Sequence, residues 1–487
     1  MKELVFYFYG YIIFFYSMGL IISYVVLMWL AEVGILRRKN AYLSPYAKYV
    51  IDKSPYTPGV SIIAPAYNEE KTIVDNVNSL LAQDYPTFEV IIVNDGSKDK
   101  TLDLLIENFQ LVEVPFAYVE HIHTKPYRRL LKSTNPDFHR LIVVDKENGG
   151  TKADAVNAGL NASSYPYFIN TDVDCVLSED AISQCIMPVL EDDTVIAVSG
   201  IMAVSNGCKI ENGKIVTRRA TWRPCALFQT LEYMRSFLVG KMGWSTINAM
   251  PNVSGGYGLF DKRVVMAAGG YRSDSFAEDM DMIIRMVGYC CDFDRKYRIV
   301  QIPATCAWTE VPGNIATLYR QRVRWGRGLL QTFTRHREFL FNSKYKRLGM
   351  ITLPYVFVFE LIAPFIEFFG FITFLYQAFT GVVNWPAALV IFLALYTFCI
   401  VLSSVVMFYD YITGGSFNKV TSYFRVMGAA LLEPFLFHPF IVVFSLKGYM
   451  NYILNTTAKW GEMRRRGFKQ KKGKKPEEIQ PGKEVAA

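Results

Sequence analysis

The 487-residue sequence contains no Cys-x-x-Cys pair and no His/Cys run with metal-ligand spacing, although it holds eight cysteines and five histidines. Neither a thiol-ligated metal nor a disulfide framework is therefore expected. Cys290 and Cys291 are adjacent, which disfavours an ordinary disulfide between them, and reduced, mostly buried thiols facing the cytosol are the expected state. No nucleic-acid-binding motif occurs. The net charge of +8 is modest. Much of it sits in the C-terminal tail and beside apolar runs, so it points to an anionic membrane surface rather than nucleic acid. The apolar N-terminal stretch has no basic n-region and no small-residue cleavage site, and it is too long for a signal-peptide core.

What is abundant is apolar and aromatic side chain, half of all residues, which fits a globular domain joined to membrane segments. Leu4 to Leu30 reads as a transmembrane helix. Arg37-Arg38-Lys39 puts its C-terminal end in the cytosol. From Val60 to about Pro303 the pattern alternates strand and helix. Val60–Pro65, Val90–Val93, Leu141–Val144 and Tyr167–Asn170 are expected strands; Glu69–Gln83 and Thr151–Asn161 are expected helices. Such alternation predicts a mostly parallel sheet covered on both faces. Phe116 to Arg140 departs from the pattern with His121, His123, Lys125, Arg128, Arg129 and Lys132. It is a basic gate near phosphates or headgroups, or a solvated insertion.

After Pro303, Ile315–Arg337 reads as a basic amphipathic helix. Apolar stretches follow at about 350–380 and 387–409, with a broken one at about 427–455. Pro364 should kink the first, and Glu360 and Glu367 within it should face protein or a polar cavity. The broken stretch, interrupted at Pro434 and Pro439, reads as a re-entrant or interfacial hairpin. The chain thus divides into a membrane helix (1–36), a linker (37–58), an α/β domain (59–312), interfacial helices (313–347), membrane and re-entrant helices (348–456) and a basic, disordered cytosolic tail (457–487).

Four short motifs fall at one edge of the expected sheet, where open α/β sheets bind ligands. They are Pro65-Ala66-Tyr67-Asn68-Glu69, Asn94-Asp95-Gly96-Ser97, Gly149-Gly150-Thr151-Lys152 and Asp172-Val173-Asp174. Each alone is ordinary turn chemistry; all four at one edge is not. A helix N-terminus with a lysine suits an anion, and two carboxylates one residue apart suit Mg²⁺ or Mn²⁺. Asp279-Met280-Asp281 and Asp292-Phe293-Asp294 repeat the Asp-x-Asp spacing, so the triplet alone is not diagnostic. Farther on, Glu278-Asp279 opens a helix, where acids also serve as caps. Gln321, Arg324 and Trp325 share one face of the next helix. Arginine can clamp a diphosphate and a tryptophan ring can floor a sugar, although a membrane-anchoring Trp would look the same.

In that order, these residues resemble the membrane-embedded family 2 glycosyltransferases with a GT-A fold, a group that includes cellulose, hyaluronan and poly-N-acetylglucosamine synthases. The resemblance covers about residues 58–337. It implies a Rossmann-like GT-A cytosolic domain with transmembrane helices in a cell (inner or plasma) membrane. It implies that Ala66, Tyr67, Glu69 and Asp95 contact the nucleotide of a UDP-sugar, and that Lys152 lies near its base and diphosphate. Asp172 and Asp174 would hold nucleotide and metal. Asp279, beside Glu278, would be the general base. Arg324 would face the diphosphate, and Gly255, Gly256, Gln321 and Trp325 the acceptor. Trp308–Pro312 is expected near the rim. The implied reaction is inverting transfer, with UDP-N-acetylglucosamine favoured, elongating a β-linked polysaccharide processively into the membrane. The alternative is single transfer to a membrane lipid. A non-catalytic membrane binding protein is the reading from another class, and intact Asp172, Asp174, Asp279 and Arg324 argue against it. With about three clear spans, a small membrane subunit or self-association is expected to complete an export path. Ala277 stands where many relatives have Thr or Gly. No further domain follows the membrane region, so direct control by cyclic di-GMP is not expected.

Overall fold

The structure, a computed structural model, describes residues 2–42, 45–115, 118–211 and 213–455. The basic tail and Phe116 lie outside the described residues. Twelve strands occur among the described residues: β1 Val60–Ala66, β2 Phe88–Asp95, β3 Leu111–Glu113, β4 Tyr127–Ser133, β5 Leu141–Lys146, β6 Tyr167–Thr171, β7 Val176–Leu177, β8 Val195–Val204, β9 Lys209–Glu211, β10 Lys214–Thr217, β11 Tyr257–Asp261 and β12 Arg298–Thr309. Ten of them form one sheet in the order β3-β4-β5-β2-β1-β6-β11-β8-β12-β7. The central block β5-β2-β1-β6 is parallel. Its strands are near-continuous apolar runs because helices cover both faces, and Ile62, Ile63, Val90, Ile91 and Ile169 are fully buried.

Antiparallel pairings border this block on both sides, β4 against β5 and β11 against β6, and the second builds the site. β11 runs against β6 with Tyr257 opposite Thr171. The residues just before β11 therefore land beside those just after β6. Because β8 and β12 run parallel to β6, the carboxyl end of β12 reaches the same edge. Within the basic insertion, β4 pairs antiparallel with β5 on one side and with the edge strand β3 on the other. Arg129 pairs there with buried Asp145 at 3.2 Å, so this part is structural.

Several element bounds differ from the sequence reading. The first helix runs Lys2–Tyr42, and the expected linker contains a helix, Pro45–Lys53. The helix expected from Glu69 begins at Ile73. Asn68 sits at φ 56°, and the Glu69 amide donates to Thr101 Oγ1 at 2.8 Å, which holds residues 68–72 in a turn. Helices Gly10–Arg38, Leu348–Thr380 and Trp385–Ile412 are long and apolar enough to cross a membrane. The second has a π turn, Phe357–Leu361, immediately before Pro364. The stretch expected as a re-entrant or interfacial hairpin is a pair of helices, Val420–Leu436 and His438–Ile453, bent by 53°. Phe437 fills the break and stacks on Phe228, with ring centroids 5.2 Å apart. Glu367 accepts from Tyr16 Oη at 3.1 Å and meets His438 Nε2 at 2.7 Å, the protein-facing placement that a carboxylate among apolar helices requires.

Candidate active site

The first loop is tied to the second. Asn68 N donates to Ser97 Oγ at 3.1 Å, and Lys98 N donates to Asn68 Oδ1 at 2.8 Å. Gly96 has φ +64°, and a Cβ there would lie 2.8 Å from the backbone nitrogen of Asn148. Only glycine serves both demands. Tyr67 is exposed and Ala66 buried.

Asp95 is held by a residue that the motif reading missed. Lys146, at the end of β5 opposite Asp95, is fully buried and donates to Asp95 Oδ1 at 2.8 Å and to Asp154 Oδ2 at 2.6 Å. Gly149 N also donates to Asp95 Oδ1, at 2.9 Å. One ammonium thus fixes the second and third loops together. Lys146→Met leaves two buried carboxylates without their shared cation. It should lower stability by about 3–5 kcal/mol, read as a fall in the melting temperature of the purified protein in detergent. An unchanged melting temperature would sink this view of Lys146. The signal available in sequence was the position of Lys146 one residue past Asp145, at the same edge as Asp95.

Thr151 caps the helix Lys152–Ala162, its side chain accepting from Asp154 N. That start aims Lys152 across the sheet edge. Its Nζ lies 2.5 Å from Asp172 Oδ1 and 2.6 Å from the Gly255 carbonyl oxygen. Burial opposes the ammonium, but Asp172 and then Glu278 outweigh it and hold the pKa of Lys152 above the ordinary lysine value. Asp172 N donates to the Gly256 carbonyl oxygen at 3.3 Å, the direct result of the β6–β11 register. Side-chain oxygens of Asp172 and Asp174 and the sulfur of Cys175 lie within 4.8 Å of one another. Burial, then Asp174 and Asp172, push the Cys175 thiol far up, so it stays protonated. The two carboxylates are the donors that fit a hard divalent cation.

Glu278 and Asp279 open the helix Glu278–Asp292, where the positive helix end favours acids. Ala277 provides no side-chain cap. Asp279 Oδ2 accepts from Asn252 at 3.1 Å, and its Oδ1 accepts from Met280 N at 2.9 Å. Burial, then neighbouring Asp279, push the Glu278 carboxyl above the ordinary range against Arg324 and Lys152. A Cβ on Gly255 would stand 3.7 Å from both Asp279 Cβ and Glu278 Oε1, so that glycine lies against the acidic pair. Asp281 differs from Asp279. It is fully buried, bound to Arg285 and His336 at 2.8 Å each, and packs the helix rather than lining the site. Asp292 pairs with Lys344 at the surface, at 2.6 Å. The two other Asp-x-Asp triplets are thereby distinguished from the one at β6.

The helix Ile315–Arg335 is capped by Asn314, which accepts from Thr317 N. Gln321, Arg324 and Trp325 line the same cavity as Glu278 and Asp279. Arg322 was not singled out from sequence. It makes a two-pronged pair with Glu232 at 2.5 and 2.6 Å, and its Cζ sits 4.2 Å over the Trp325 ring, which orients that indole. Thr309, the last residue of β12, and Glu310 after it reach the same cavity.

That cavity has a volume of about 2410 Å³ and gathers Lys152, Asp172, Gly255, Gly256, Glu278, Asp279, Gln321, Arg324 and Trp325. Ala66, Tyr67, Glu69, Asp95 and Asp174 are not among its lining residues; they lie on or behind the adjoining sheet edge. From Asp279 the cavity continues between the apolar helices, past Tyr16, Glu360, Glu367 and Phe392.

The sequence pattern of Glycosyl transferase family 2 matches residues 61–224, and that of Glycosyl transferase family group 2 matches residues 168–408. The chain is 29% identical over 321 residues to a poly-beta-1,6-N-acetyl-D-glucosamine synthase of Staphylococcus epidermidis, covering 66% of this chain and 65% of that protein. The protein of the same name from Staphylococcus aureus strain COL is 28% identical over 326 residues, 66% of each chain. The match therefore spans slightly less than two thirds of these relatives' own length. Among solved structures, mannosyltransferase PcManGT from Pyrobaculum calidifontis, crystallised with GDP-Man and Mn²⁺, superposes with a TM-score of 0.52 at 19% identity, over 88% of this chain and 100% of that one. At that identity the likeness is one of fold.

Proposed function

The chain belongs to glycosyl transferase family 2, and from that premise we propose that it is an inverting membrane glycosyltransferase that elongates a β-linked polysaccharide from a UDP-sugar. UDP-N-acetylglucosamine is the favoured donor, since the relatives above are named for that sugar's polymer. The observation that carries the reading is one cavity in which the Glu278–Asp279 pair, the Lys152–Asp172 pair and the Gln321-Arg324-Trp325 face converge.

In this reading an acceptor hydroxyl attacks the anomeric carbon from the face opposite the diphosphate. Asp279 takes the hydroxyl proton as the new C–O bond forms, while the bond to the diphosphate breaks and UDP leaves. Arg324 and Lys152 offset the charge that grows on the leaving group. Asp172 and Asp174 would hold a divalent cation, Mg²⁺ or Mn²⁺, which when bound supplies Lewis-acid neutralisation of the diphosphate. Ala66, Tyr67, Glu69 and Asp95 would receive the nucleoside end. Gln321, Trp325, Gly255 and Gly256 would receive the acceptor.

The continuation of the cavity between apolar helices supports chain growth coupled to export, with the catalytic domain on the cytosolic side of a cell membrane. A small membrane subunit or a second copy would complete the wall of that path. The test is UDP release from a panel of UDP-sugars by purified membranes, with Mg²⁺, Mn²⁺ or chelator, followed by sizing of the product. Metal-dependent release with one sugar and long products is expected. Release with a product one sugar longer than a lipid acceptor would replace the polymer reading with single transfer. No release with any donor would overturn the enzyme reading.

A further inference from the structure

Lys241 has no part in the reading above, yet it lines the same cavity as Asp279. It closes a π-helical turn, Ser236–Lys241, that continues the helix Pro224–Arg235. Such turns interrupt the regular ladder and recur at functional sites. The side chain is 7% exposed. Among the described residues its ammonium makes no hydrogen bond and no ion pair, and the ring of Phe237 is its near contact, 4.6 Å from Nζ to the centroid. Burial pulls the Lys241 pKa down to about 8 against the attraction of Asp279. An ammonium withdrawn from water without a partner is unfavourable, so its persistence at a cavity wall calls for a ligand that supplies the partner.

The chemistry of that ligand follows from the surroundings. An ammonium has three donors and no acceptor, so the ligand must present an oxygen. Asp279 and Glu278 line the same cavity as Lys241, so a second anion is disfavoured and a neutral oxygen is preferred. Phe237 and Trp244, four residues before and three after Lys241 along the continuing helix, both line the cavity. Trp244 is held edge-on against Tyr355 with centroids 4.9 Å apart, which makes a fixed apolar wall. A strong neutral acceptor joined to a small apolar group is an amide with a methyl.

We propose that Lys241 binds the acetamido carbonyl oxygen of the acceptor's terminal sugar, with Phe237 and Trp244 receiving the acetamido methyl. This rests on the reading of the cavity as a site of transfer to a glycan. It gives the acceptor side a means of discrimination. A sugar with a free amine would bring a second ammonium against Lys241 and leave the apolar wall empty.

The test uses the full chain purified in detergent, with Lys241→Met and Lys241→Arg beside the wild type. Short N-acetylglucosamine oligosaccharides and their fully de-N-acetylated counterparts serve as acceptors. Binding is followed by intrinsic tryptophan fluorescence, and acceptor and donor KM and kcat by UDP release. Wild type should prefer the acetylated oligosaccharide. Lys241→Met should weaken its binding and raise its KM about tenfold, the worth of roughly one charge-assisted hydrogen bond. Donor KM should be unchanged and the preference against the free amine lost, while Lys241→Arg should keep most of both. Equal binding by Lys241→Met, or loss of donor and acceptor binding together in both variants, would overturn the assignment. If wild type releases UDP but does not distinguish the two oligosaccharides, transfer stands and the role of Lys241 falls. If wild type neither binds the oligosaccharides nor releases UDP from any donor, the transfer reading falls and this assignment with it.

Discussion

Asp279→Asn should lower turnover by about 10²–10⁴-fold, the usual contribution of one general base, and leave donor binding at the wild-type level. The substitution keeps shape and the contact with Asn252, which reaches Asp279 Oδ2 at 3.1 Å. What it removes is the ability to take a proton. Its neighbour supplies an internal control. The Glu278 carboxyl is pushed up by burial and by Asp279, which makes its ionised form the stronger proton acceptor and Glu278 the direct competitor for the role of base. With Asp279 as the base, Glu278→Gln should cost less than Asp279→Asn. Single-turnover kinetics with saturating donor measure both. A larger loss for Glu278→Gln would move the base to Glu278, and near-wild-type turnover in both would remove the acidic pair from the mechanism.

Asp174→Ala should act on a different step. Asp174 is buried, and its carboxylate oxygen lies within 4.8 Å of the Asp172 ligand atom, so its loss removes one of two hard oxygen donors. Donor binding in the presence of Mg²⁺ or Mn²⁺ should weaken by at least the about 10–100-fold that loss of an outer-shell partner costs a metal site. With chelator present, wild type and variant should bind the nucleotide alike. Titration of UDP under both conditions reads this directly. Equal weakening with and without metal would mean that Asp174 supports the loop after β6 rather than a cation. Lys152 sharpens the prediction. It already neutralises Asp172 at 2.5 Å, so the cation and this ammonium compete for one carboxylate, and Lys152→Gln should bind metal more tightly while losing affinity for the diphosphate.

Much of this arrangement was legible in the residues because parallel strands signal their carboxyl ends plainly. The runs ending at Ala66, Asp95 and Thr171 are apolar and short, and each is followed by polar turn residues. Their motifs could be assigned to one edge without coordinates. The face made by Gln321, Arg324 and Trp325 was equally readable from helical spacing. The antiparallel entry of β11 was not legible, since a short buried strand has the same composition whichever way it runs. Yet that strand is what sets Gly255 and Gly256 against Asp172 and Glu278. Buried ion pairs were also hidden. The motifs do not single out Lys146 or Arg322, which the fold buries against Asp95, Asp154 and Glu232. The helix break at Phe437 was expected from Pro434 and Pro439, but its 53° angle and the stacking of Phe437 on Phe228, a contact between residues distant in sequence, were not.

The central claim is inverting transfer that builds a chain at Asp279. It is tested most directly by feeding the purified protein UDP-N-acetylglucosamine labelled at the anomeric carbon and reading linkage and chain length of the product by NMR and mass spectrometry. The account predicts a β-linked polymer that Asp279→Asn does not make. An α-linked product, or free labelled sugar with no glycosidic bond formed, would contradict it.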